Sequence, residues 1–87
     1  MMKRFVRIKW THSDPHEPVE FYYELCNGQW ASRGIQVNAD GSSTCVTYGL
    51  KEARVPALEE INLDPQLWGS QITEGEFETA WAELVSC

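Results

Sequence analysis

The sequence predicts an α+β fold, in which a four-stranded antiparallel sheet (a meander) carries a C-terminal amphipathic helix packed on one face. Three observations predict it. Apolar residues alternate with polar ones through most of the first fifty positions, turn dipeptides separate the alternating stretches, and the chain closes on a capped run with helical spacing. At 87 residues there is room for a single domain, 1–87, with one modest core. A hydrophobic content of 43%, with four Trp, three Tyr and three Phe, supplies enough apolar area for a folded chain.

The first strand is Phe5 to Trp10, where Val6, Ile8 and Trp10 share one face and Phe5, Arg7 and Lys9 the other. A second runs from Val19 to Leu25, with Val19, Phe21, Tyr23 and Leu25 in one phase. Asn27-Gly28 then suits a tight hairpin into a third strand, Trp30 to Asn38. Asp40-Gly41 is another hairpin signal, and Thr44, Val46, Tyr48 and Leu50 alternate after it. Trp30 has the opposite phase to Ile35 and Val37, so a bulge near Gly34 is needed to bring all three to one side. Beyond Val55 the strand signals stop. Pro56 and Pro65 bracket a turn or two of helix in "VPALEEINLDP". Thr73 and Glu76 form a capping box, and Phe77, Ala80, Trp81, Leu84 and Val85 make one apolar stripe of a final helix. A lone sheet and a lone helix would each leave an apolar face wet, hence the two layers.

The run "IKWTHSDPHEPVEFYYEL", followed by "DG", "PALEEINLDP" and "ITEGEFETAW", resembles a small bacterial family, domain of unknown function 6881, over nearly the whole chain. The resemblance supports the fold and implies no catalytic residue or ligand. The chain departs from the family pattern at Cys26-Asn27-Gly28, where an acidic turn is more usual, and at Gly75 inside the capping box.

Charge divides the chain unevenly. Through Arg54 there are seven Lys or Arg against six acids, and from Val55 onward seven acids and no Lys or Arg, which together give the formal −6. An acidic last third argues against nucleic acid or an anionic membrane and suits a basic protein partner. The expected partner-binding residues are therefore Glu59, Glu60, Asp64, Glu74 and Glu78, together with Trp68, which has no evident strand or helix phase to bury it. The leading expectation is a non-enzymatic cytoplasmic protein-binding module, of the kind that serves as an immunity or anti-defence inhibitor.

The alternative is a small-ligand or metal-binding domain using the His12/His16 loop and Arg33. His12, Asp14 and His16 are spaced by two, so an extended segment would project them to one side. Pro15, Pro18 and an Asp before proline instead describe a stiff connection, and no metal or cofactor is expected. Arg33 shares the phase of Ile35 and Val37, so its guanidinium needs a carboxylate against the apolar side. Glu20 and Glu24 are the candidates. No Gly-rich phosphate loop or nucleophile constellation occurs, which leaves no catalytic residue to name. Cys26, Cys45 and Cys87 are odd in number and widely spaced, without C-x-x-C pairing, which suits free thiols in a reducing cytosol. The N-terminus "MMKRFVRIKW" lacks the apolar run of a signal peptide. Homodimerisation through an exposed edge strand is a third reading.

Overall fold

A computed structural model describes residues 3–26, 28–49 and 51–84. Seven elements follow in chain order: β1 (Arg4–Trp10), β2 (Pro18–Cys26), β3 (Trp30–Asn38), β4 (Ser43–Thr47), α1 (Leu58–Ile61), β5 (Leu67–Ile72) and α2 (Glu74–Leu84). The strands make one antiparallel sheet in the order β4-β3-β2-β1-β5.

The sheet has five strands where four were expected. The extra strand, β5, contains Trp68 and pairs along β1 from Phe5 opposite Ile72 to Trp10 opposite Leu67. In "LWGSQI" each phase mixes apolar and polar residues, so alternation is silent there. β1 supplies the missing ladder, which makes β1 an interior strand and β5 an edge.

The hairpins form as their turn residues require. Gly28 and Gly41 adopt φ of +80° and +89°, a region side chains with a Cβ disfavour, and the Asp40 carboxylate accepts from the Ser42 amide at 2.9 Å. The expected bulge falls two residues before Gly34. Glu24 pairs with Arg33 and Leu25 with Ala31, so Ser32 is the extra residue of β3. That single insertion lets Ala31 join Leu25 on one face while Arg33 joins Glu24 on the other. Leu50, expected at the end of β4, and Val85, expected at the end of the helical stripe, lie outside the described residues.

Two apolar clusters occupy the two faces. Val6, Ile8, Leu25 and Ala31 are buried with Val55 and Ile61, and Phe21, Tyr23 and Tyr48 pack beside them; the 53–61 segment and α1 cover this side. On the other side Phe5 and Ile35 are buried with Phe77 and Ala80 of α2, the Phe5 and Phe77 rings lying 5.3 Å apart. The apolar phase that alternation marks most clearly, Val6, Ile8, Phe21 and Tyr23, thus meets the irregular middle of the chain, not the C-terminal helix. Cys26 is a half-buried free thiol, whereas Cys45 is disulfide-bonded, contrary to the expectation of free thiols. Spacing along the chain does not reveal which cysteines the fold brings together, and a disulfide withdraws the ground on which a reducing compartment was expected. Cys87 lies outside the described residues. Among those residues no helix is long and apolar enough to cross a membrane.

Candidate functional site

Arg33 is the most heavily engaged side chain. Its Nε and Nη2 donate to the two Glu24 carboxylate oxygens at 3.1 and 2.5 Å, and Nη1 and Nη2 donate to Glu78 on α2 at 3.2 and 2.7 Å. Phe77 and Trp81 flank the guanidinium with ring centroids 5.0 and 4.9 Å from Cζ. Glu24 is the buried member, 3% exposed, and also accepts from the Ser32 hydroxyl at 2.6 Å. The hydrogen bonds from Arg33, joined by that from Ser32 and by the Arg33 and Lys3 charges, outweigh burial and hold the Glu24 carboxyl at about 2. Arg33 likewise holds the Glu78 carboxyl below its ordinary value, and the two carboxylates raise that of Arg33. Of the two partners expected for Arg33, the structure selects Glu24. Glu20 binds Arg7 instead, at 2.6 and 2.8 Å.

The His12 loop is a turn held by its own hydrogen bonds. His12 Nε2 lies 2.7 Å from the Pro18 carbonyl oxygen, Nδ1 accepts the Asp14 amide at 3.1 Å, and the ring rests against Trp10. The Asp14 carboxylate accepts the His16 amide at 2.9 Å, an Asx turn that leaves the His16 side chain in solvent. Among the described residues no group of three or more His, Cys, Asp or Glu is arranged to hold a metal. Pro18, beside His12, and Glu24, beside Arg33, stand six positions apart along β2, a span of about 20 Å in a strand, so the imidazoles and Arg33 do not share a site.

The acids expected to form one surface fall on opposite sides of the sheet. Glu59 and Glu60 lie on α1 with Asp64 just beyond it, on the side of Val6 and Ile8, where Glu59 and Glu60 line a shallow depression with Arg4. Glu74 and Glu78 lie on α2, on the side of Phe5 and Ile35. Trp68 is 54% exposed and stands opposite Lys9 on this second side, the Lys9 ammonium 6.0 Å from its ring.

Alternation and charge counting missed the groove beside α2. An open depression of about 630 Å³ runs between α2 and the uncovered part of the sheet. Tyr22, Ile72, Ala80 and Leu84 supply its apolar lining, and Glu76 and Glu83 its acids. Arg7, the cation at its edge, is neutralised by Glu20 and lies over the Tyr22 ring at 5.5 Å. Burial raises the Tyr22 phenol, helped by its hydrogen bond and proximity to Glu20. Among the described members of the helical stripe, Leu84 is the one left exposed, and it lines this groove.

No curated protein and no solved structure matched the chain. The family model described as Domain of unknown function (DUF6881) matches residues 4–86, nearly the whole sequence. Its span includes the β1–β2 turn, the Arg33 cluster and the α2 groove alike, and the chain belongs to the DUF6881 family.

Proposed function

We propose that the chain is a non-enzymatic protein-binding module that receives a basic partner, in the manner of an immunity or anti-defence inhibitor. The observation that carries this reading is the α2 groove, where an apolar lining of Tyr22, Ile72 and Leu84 meets the carboxylates of Glu76 and Glu83 and the nearby Arg7 is already paired. A partner segment with an apolar anchor and flanking Lys or Arg complements such a surface, and opposite net charge speeds its arrival. Trp68 on the same side of the sheet offers a second, aromatic contact. Glu74 opens the same helix outside the groove lining, Glu78 contributes by holding Arg33, and Glu59 and Glu60 of α1, with Asp64 beyond it, lie on the other side of the sheet.

Capture from native-host lysate at low and at physiological salt tests the reading, with Glu83→Lys and Trp68→Ala beside the unaltered chain. The expected result is a basic protein retained at low salt, released as salt rises, and lost from the Glu83→Lys chain. Recovery of no basic protein at either salt would reject it.

A further inference from the structure

The side of the sheet away from α2 carries an open hollow of about 200 Å³, between the strands and the crossing segment 53–61. The buried side chains of Ile8, Val55 and Ile61 make its floor, and the rings of Phe21 and Tyr23 make one wall. These two rings, two residues apart on β2, lie nearly parallel, with 7° between their planes and centroids 6.0 Å apart. They present a continuous aromatic surface. Both are only half-buried, which leaves apolar area in water for a ligand to cover.

Arg54 stands exposed at the rim of this hollow, and its position is fixed twice. The Ala31 amide donates to the Ala53 carbonyl and the Val55 amide to the Gln29 carbonyl, each at 2.8 Å, which pins the backbone on both sides of Arg54 to the start of β3. Its Nη2 donates to Gln29 Oε1 at 2.8 Å, which holds the guanidinium and leaves its remaining donors for a ligand. Arg7 and Arg33 are each matched by carboxylates, but among the described residues Arg54 has none. No Asp or Glu lines the hollow either. The groove beside α2 has Glu76 and Glu83, and the depression beside Arg4 has Glu59 and Glu60. In a chain of net charge −6, this hollow meets a ligand with a cation and no acid.

We propose that this hollow binds a small aromatic monocarboxylate, a single ring joined to its carboxylate by a short linker, as in phenylacetate. The ring lies against Phe21 and Tyr23 over the apolar floor, where offset or edge-to-face contacts add to burial. The carboxylate accepts paired hydrogen bonds from the Arg54 guanidinium, whose planar fork matches it. Size restricts the ligand to one ring, since an apolar cavity of about 150 Å³ already holds benzene and drug-sized molecules occupy about 300 Å³ or more. Charge restricts it further, because an amine would meet Arg54 with like charge. The site lies across the sheet from the α2 groove and stands independently of the basic partner proposed there.

Titration of the whole chain with phenylacetate, followed by NMR of the Ile8, Val55 and Ile61 methyl groups, tests the proposal. Acetate, benzyl alcohol and phenethylamine serve as matched probes, with Arg54→Gln in parallel. The expected result is saturable shifts at those methyls with a dissociation constant of about 0.1–1 mM for phenylacetate. Binding should weaken about tenfold for benzyl alcohol and in Arg54→Gln, and acetate and phenethylamine should give no saturable shift. Arg54 is exposed, so its replacement leaves the floor intact, and unchanged methyl resonances in the ligand-free variant verify this. The probe series on the unaltered chain decides the matter without any variant. No saturation by phenylacetate up to roughly 20 mM would overturn the proposal. So would equal binding of phenethylamine, undiminished affinity in a folded Arg54→Gln chain, or shifts confined to Leu84 in the α2 groove.

Discussion

Glu24 and Arg33 show how one charged pair can be held against an apolar layer. A carboxylate 3% exposed would be costly alone, but it receives two hydrogen bonds from Arg33 and one from Ser32. Without Glu24, Arg33 keeps Glu78 and its two flanking rings but loses half of its hydrogen bonds. Glu24→Ala is therefore expected to cost about 2–3 kcal/mol in urea denaturation. The same carboxyl sets an acid limit. Its folded value of about 2 lies below the ordinary 4.5, so its contribution is complete above the unfolded value and disappears as pH falls from about 4.5 towards 2. Stability measured across that window should fall by up to about 3 kcal/mol, and the fall should be much smaller in Glu24→Gln. Tyr23 sets the opposite limit. Burial, and then the charge of Tyr48, push its phenol up to about 12, so the stability it contributes is full below its unfolded value near 10 and is lost as pH rises through 12. A spectroscopic tyrosinate titration should find one phenol ionising together with unfolding.

Among the elements, β5 and α2 depend on single side chains in different ways. Asn62 supplies both a donor and an acceptor to Gly69, and Gly69 lacks a Cβ because one there would stand 2.9 Å from Leu58 and 3.2 Å from Ile61. Asn62→Ala is expected to cost about 1 kcal/mol, since water can reach part of an edge, and to accelerate amide exchange at Gly69 specifically. Gly69→Ala acts through α1 instead, displacing it and loosening the cluster around Ile61. α2 begins as its capping box predicts, with the Glu76 amide donating to the Thr73 hydroxyl at 3.1 Å and Glu76 Oε1 accepting the Thr73 amide at 3.3 Å. Thr73→Ala should cost about 1 kcal/mol by thermal or urea unfolding. These two elements also mark the range of legibility. The helix could be read because capping and apolar spacing are local. β5 could not, because its pattern is mixed and only its pairing with β1 makes it a strand.

For the whole molecule, charge and topology have to be considered together. Seven acids in the last third look like one surface in the sequence, yet α1 and α2 carry them to opposite sides of the sheet. Association with a basic partner through the α2 groove should accordingly weaken with salt and be reduced by Glu83→Lys, while Glu59→Lys and Glu60→Lys leave it nearly unchanged. Redox state belongs to this scale as well. Alkylation of the native protein before reduction should label Cys26 and leave Cys45 unlabelled. Labelling of Cys45 under those conditions would restore the reading of a reducing compartment.

The sequence alone determined the local features. Alternation, glycine turns and the capping box placed four strands, a short helix and a long one, because each depends on residues close together in the chain. The bulge and the need of Arg33 for a carboxylate were also readable, since both follow from strand phase. The tertiary structure decided everything that depends on neighbours distant in sequence: the fifth strand, the choice of Glu24 over Glu20, the separation of His12 from Arg33, the disulfide at Cys45 and the groove beside α2. Pairing partners and faces are properties of the assembled sheet, where side chains far apart in the chain come within hydrogen-bonding distance, and no local pattern encodes which ones will meet.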